Sequence, residues 1–259
     1  MLARNKYFGL FPRITCGLPC DSDVHPILHT MPDKALRSDN YDRWDPHWFE
    51  KQDRSRDAQF YQTPRKVVHI DAVAIAAATQ LYRELLPAGG AILDLMSAWR
   101  SHLPTDARYA RVTGLGMNAD ELADNAQLTD RVLHNLNEQP KLPFADHEFD
   151  GACCTVSVQY LQRPVEVLRE LARVLKPGAP MIFTFSNRCF PSKAINLWRE
   201  LDDEEHMNLI ALYFQTSGRW REVTLQDRSA VCAKTHQCDP LFAVWAFATD
   251  PLISPASAS

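Results

Sequence analysis

Asp94 closes the apolar run Ala91-Ile92-Leu93 and stands two residues before a turn, Met96-Ser97-Ala98-Trp99, that contains no glycine. Ligands of open α/β sheets bind in the crevice beyond the carboxyl ends of the strands, so a carboxylate here faces the ligand side of such a sheet. The other use of an acid at this point is to cap a following helix by accepting backbone N–H bonds. Ser97, Ser101 and His102 come next, and His102 either faces the ligand or is a structural histidine. Further on, His134-Asn135-Leu136-Asn137 supplies amide donors and acceptors, or is simply an asparagine-rich turn. Gln159 and Tyr160 follow the apolar run Gly151 to Val158, and Tyr61, Arg65 and His69 lie upstream of Asp94. His69, His102 and Tyr160 are the candidate proton acceptors. No Ser-His-Asp set, phosphate loop or carboxylate pair accompanies them.

Strands must position these groups. Besides the run into Asp94, Arg111 to Met117, Gly151 to Val158 and Ala179 to Ser186 read as short apolar strands. Between the last two, Val165, Leu168, Leu171, Ala172 and Leu175 share one helical face, opposite Arg169, Glu170, Arg173 and Lys176, and Pro177-Gly178 ends the helix. A second helix is expected from near Arg65 to Leu86, stopped by Pro87 and Gly89-Gly90. Trp220 to Asp227 and Leu241 to Thr249 read as two final strands. Such alternation predicts an α/β fold with a mostly parallel sheet and helices on both faces.

The order of pieces is specific: strand-Asp94, a strand running to Asn118, Leu142-Pro-Phe144 with Phe149-Asp150, then a helix ending Val174-Leu-Lys-Pro-Gly178 before another strand. Over about Leu86 to Asp227 the chain resembles the class I S-adenosylmethionine-dependent methyltransferases, especially the small-molecule branch called type 11. The resemblance implies a Rossmann-like doubly wound sheet whose last strand, Leu241 to Ala248, inserts antiparallel. It implies S-adenosyl-L-methionine as cofactor and methyl transfer to a small-molecule acceptor by in-line displacement. Asp94 would hold the cofactor's amino group or position the turn, with Met96 and Ser97 along its methionine part. Gly116, Met117 and Asn118 would lie at the ribose, and Asn135, Leu136 and Asn137 at the adenine. Val158 and Gln159 would flank the transferable methyl. Tyr61, Arg65 and His69 would form a lid, with Arg65 pairing with the cofactor carboxylate; the other reading is a helix packed on the sheet with solvated polar residues. The polar insert from Asn187 through Phe214 is expected to cover the pocket mouth.

Two departures accompany this resemblance. Family members usually carry glycines in the first turn, where this chain has Met96 to Trp99, and usually end the second strand in an acid, where it has Gly116-Met117-Asn118. The alternative reading is therefore a non-catalytic relative that keeps the fold as a binding or scaffold protein. An NAD-dependent oxidoreductase would share the sheet type, but its Gly-x-Gly-x-x-Gly turn is missing.

Composition agrees with one α/β domain: 259 residues, 46% apolar. With 28 basic and 32 acidic side chains and a formal charge of -4, no electrostatic footprint for nucleic acid is present. No apolar run approaches the roughly 20 residues of a membrane span, so a cytoplasmic location is expected. The alternative is an organelle, since residues 1–30 begin with Arg4, Lys6 and Arg13 and no acid before Asp21. Seven cysteines without a secretory signal argue against a disulfide framework. Cys232, His236 and Cys238, with Cys189, match no standard zinc spacing, nor do Cys16 and Cys20, so no metal is expected. The expected organisation is a tail over 1–40, a helical lid segment over 41–86, the main domain over 87–250 and a tail over 251–259.

Overall fold

Apolar residues run almost without interruption through β1 (Ala91–Leu95), β2 (Arg111–Gly116), β4 (Gly151–Thr155) and β5 (Pro180–Phe185). Strands of this kind are buried on both faces, as parallel strands under two helical layers are. The computed structural model describes residues 41–250; the expected tails, with Cys16 and Cys20, lie outside the described residues. With β3 (Asp130–Leu133), β6 (Trp220–Asp227) and β7 (Phe242–Ala248), the strands form one seven-stranded sheet in the order β3-β2-β1-β4-β5-β7-β6. As expected of the last strand, β7 runs antiparallel between β5 and β6. Chain order reverses between β1 and β4, so the crevice beyond their ends is the switch point at which such sheets bind ligands.

Helices cover both faces. On one, α4 (Pro164–Val174) and α6 (Asp203–Ser217) pack with the N-terminal residues Trp44 and Phe49. On the other, α2 (Ala72–Leu85) buries Ala74, Ala78, Leu81 and Tyr82 against Ile92, Cys153 and Ile182. The remaining helices, α1 (Asp57–Phe60), α3 (Ala119–Asp124) and α5 (Asn196–Glu200), are short. Among the described residues, none is long and apolar enough to cross a membrane.

The motifs that carried the family resemblance are structural joints. Asp150 accepts from the Ala91 amide at 2.9 Å and pairs with Lys176 at 2.6 Å, tying the start of β1 to the end of α4. Arg173 donates to the Leu142 and Phe144 carbonyls, while Glu170 accepts from the Leu142 amide.

Three expectations are corrected. The helix expected from near Arg65 begins only at Ala72, because the Asp71 carboxylate caps it by accepting from the Val73 and Ala74 amides; residues 61–71 form an irregular strap instead. The insert expected over the pocket mouth mostly packs on the sheet. A reciprocal Asp202/Glu205 capping box starts α6, and Leu209, Ile210, Tyr213 and Phe214 are buried in the core. Cys232 and Cys238, which the sequence leaves unpaired, are joined by a disulfide. A single 3₁₀ turn over Val231–Thr235, with His236 left-handed after it, brings their Cα atoms to 5.5 Å, within disulfide range.

Candidate functional site

A cavity with an empty volume of about 1180 Å³, counted out to open solvent, lies beyond the ends of β1, β2 and β4. Its floor is the glycine-free turn. Asp94 is buried, accepts from Ser97 Oγ at 2.5 Å and is approached by Cys153 Sγ at 3.9 Å. Burial pushes its carboxyl up to about 6, against hydrogen bonds from Ser101, Ser97 and Cys153 that favour the charged form. No helix lies between β1 and β2, so helix capping by Asp94 is ruled out. Asn125 holds the turn from outside, donating to the Ala98 carbonyl and to Ser101 Oγ.

The bare backbone missing from the turn is found on β2. A Cβ at Gly116 would collide with the Ser97 carbonyl, and one at Gly114 with Leu128. The turn therefore lies against the second strand, its Ser97 amide bonded to the Leu115 carbonyl at 2.8 Å. Gly116→Ala is expected to lower the unfolding free energy by about 1–3 kcal/mol, as overpacking does, measured by urea denaturation. Three non-glycine residues of the cavity wall are left-handed: Met96 (φ 55), His102 (φ 56) and Val156 (φ 49). The β-branched Val156 is the most strained of these, and such strain clusters at ligand sites.

Most expected site residues meet here: Tyr61, Arg65, Asp94, Met96, Ser97, Gly116, Met117, Asn118, Asn135, Leu136 and Asn137 all reach the wall. Their side chains are not equally free. Asn118 caps α3 through Oδ1 and donates through Nδ2 to the Tyr61 and Gln62 carbonyls, so its amide is fully engaged. Asn137 is likewise bound to Asp57, the Tyr160 carbonyl and the Gln162 amide. Among the described residues, the buried Asn135 Nδ2 has no hydrogen-bond partner, which marks it as a donor still to be accounted for.

Val158 and Gln159 are corrected. Both are buried in a 3₁₀ turn, Gln159 donating to the Val156 carbonyl, and neither reaches the cavity. β4 stops at Thr155 rather than Val158, and the left-handed Val156 turns the chain, so Thr155, Val156 and Ser157 line the wall instead. Glu121, His134, Phe190 and Trp99 also line it. Glu121 belongs to α3 and Phe190 to the loop after β5, and no motif in the sequence marks either.

The strap over residues 61–71 crosses the cavity. Trp99 Nε1 donates to the Val67 carbonyl at 2.9 Å, which draws the indole to the strap, and Arg65 stacks 4.0 Å from the Phe60 ring centroid. Beneath the strap's start, Lys51 pairs with Asp57 at 2.7 Å, and Lys193, fully buried, binds the Ser55 carbonyl at 2.9 Å with Asp57 at 3.6 Å.

Among the proton-acceptor candidates, Tyr160 accepts from the Phe190 amide at 2.8 Å, and burial pushes its phenol up. His102 is pushed down to about 4, chiefly by burial and then by Arg100. Burial lowers His69 as well; its ring meets Phe190 edge-on, and no hydrogen bond holds it among the described residues.

Residues 97–183 match a family model described as a methyltransferase domain. Over 106 residues the chain is 39% identical to "Methyltransferase phqN" of Penicillium fellutanum, covering 38% of this chain and 32% of that protein. Over 182 residues it is 26% identical to a malonyl-[acyl-carrier protein] O-methyltransferase of Enterobacter lignolyticus, covering 67% of this chain and 69% of that one. The chain thus spans about a third of the length of the fungal relative. A chain in the complex between the Haloferax volcanii Trm112 methyltransferase activator and a methyltransferase shares the fold: the TM-score is 0.52 at 14% identity, over 68% of this chain and 91% of that one.

Proposed function

Given that this chain carries a class I S-adenosylmethionine-dependent methyltransferase domain, we propose that it transfers a methyl group from S-adenosyl-L-methionine to a small-molecule acceptor. The observation that carries this reading is that the glycine-free turn leaves the crevice open. Gly116 receives the turn's backbone at the Ser97 carbonyl and Trp99 is bonded to the strap, so a cavity remains above a buried carboxylate.

The residues present fit the cofactor. Asp94 offers a buried acceptor for an α-ammonium, and the orphaned Asn135 Nδ2 offers a donor to a ring nitrogen, beside Leu136. The cofactor, when bound, supplies an electrophilic methyl on a good leaving group. The chain's own task is to hold the acceptor in line and keep water out, and well-oriented groups reach effective molarities of about 10⁵ to 10⁸ M. The strap, with Phe190 and Tyr160, closes the acceptor side. Where the acceptor arrives protonated, His69 is the best-placed base: it is neutral, lines the cavity, and among the described residues no hydrogen bond holds it. Tyr160 is committed to Phe190, and His102 is too weak a base near neutral pH. The balanced charge favours a small acceptor over nucleic acid.

Calorimetric titration with S-adenosylmethionine and S-adenosylhomocysteine tests the reading. Binding of both is expected; no heat from either would leave a scaffold protein with this fold.

A further inference from the structure

We propose that Glu121 takes the ribose-binding role that methyltransferases of this class usually give to an acid at the end of the second strand. The inference builds on the cofactor reading above. The usual position is closed here. At Gly116 any side chain would run into the Ser97 carbonyl, Met117 is apolar, and every polar atom of the Asn118 amide is already bonded.

Five residues beyond Gly116, on the first turn of α3, Glu121 lines the same cavity and is 8% exposed. One of its carboxylate oxygens accepts from the Arg65 amide at 2.5 Å; among the described residues the other accepts no bond. The other acids of the wall are spoken for. Asp57 is bound by Lys51, Lys193 and Asn137, and Asp94 lies at the turn with Ser97 and Cys153. Glu121 is thus the carboxylate near the end of β2 with an open acceptor site. A ribose diol presents two O–H donors, and bonds to an ionised acceptor are about twice as strong as neutral ones. The same carboxylate holds the strap through Arg65, so cofactor binding and closure share one group.

The test is calorimetry on the full chain with S-adenosylhomocysteine and its 2′-deoxy and 3′-deoxy analogues. The wild type is expected to bind the parent about tenfold to a hundredfold more tightly than at least one deoxy analogue. Glu121→Gln keeps the shape and an oxygen for the Arg65 amide; it is expected to weaken the parent and shrink that gap by about tenfold. Glu121→Asp, which withdraws the carboxylate, should act in the same direction and serves if the glutamine variant does not fold. If Glu121 merely clasps the strap, all three ligands weaken together and the gap persists, which overturns the proposal. A wild type that does not distinguish the analogues overturns it too, while leaving the cofactor reading standing. Only a wild type that binds none of the three ligands removes both.

Discussion

Asp94→Asn is expected to raise the stability of the protein at pH 7.5 while removing its affinity for S-adenosylhomocysteine. The wild-type carboxyl is buried and pushed up to about 6 from an ordinary 3.8, chiefly by burial. Each pKa unit is about 1.4 kcal/mol, so keeping this group ionised at neutral pH costs roughly 3 kcal/mol. Asparagine has the same shape and still accepts from Ser97 Oγ, without a charge to desolvate. Removing a charged partner from a buried pair costs about 2–5 kcal/mol of binding, roughly thirtyfold to several thousandfold in Kd. A variant with a higher Tm and a lost titration would be a stability–function exchange of the kind active sites show; unchanged affinity would remove Asp94 from the cofactor site.

The same carboxyl sets two pH dependences of opposite direction. Because its folded pKa lies above its unfolded one, the folded state keeps this proton longer, so the Asp94 contribution to stability falls as pH rises from about 4 to about 6 and then levels; partly buried His102, pushed down to about 4, contributes in the opposite direction over the same window. Binding of a ligand with an ammonium group requires the ionised form, so affinity should rise through pH about 6 and then plateau. The binding profile should flatten in Asp94→Asn, and the stability of wild type relative to Asp94→Asn isolates the carboxyl from His102. Denaturation of both proteins and calorimetry over pH 4 to 8 check the pair, and a relative wild-type stability that rises across this window would contradict the assignment.

The sheet was readable because its signals are local. Continuous apolar runs mark buried parallel strands, and the Asp150–Lys176 and Glu170–Arg173 joints lie in short segments whose order is characteristic. Those segments report the scaffold, however, and stand away from the cavity. Residues of the cavity wall were legible where they end or closely follow a strand, as with Asp94 near the end of β1 and Asn135 just after β3. They were misplaced where the backbone leaves regular geometry. The left-handed Val156 ends β4 three residues early and turns Val158 and Gln159 into the core, and nothing in a β-branched residue announces that conformation. Glu121 and Phe190 reach the cavity only through tertiary packing, which spacing along the chain does not encode. The departures in the first turn and at the end of β2 proved to be a single structural fact: a turn bearing side chains is received by a strand lacking them.

Asp57→Asn should be the most destabilising of the isosteric changes considered. Among the described residues, Asp57 is the only acid in direct contact with two buried lysines, Lys51 at 2.7 Å and Lys193 at 3.6 Å, while Asp53 reaches Lys193 alone from a more exposed position. Buried ion pairs add little net stability when complete, but removing one partner leaves a desolvated charge and costs about 3–5 kcal/mol. Here two ammonium groups would be left facing each other, and Lys51 is already lowered by burial, with Lys193 adding to the effect. The loss should shrink as pH rises toward 10, because a lysine held below its unfolded pKa releases its proton first in the folded state, so stability increases with pH in that window. Asp53→Asn should have a much smaller effect, since the Ser55 carbonyl and Asp57 still hold Lys193. Asp57 also anchors the Asn137 amide beside the cavity, and its helix leads into the strap. Urea denaturation at pH 7 and 9.5 reads the stability terms. If both aspartate variants behave alike, the lysines are solvated in solution and the strap is held by other contacts.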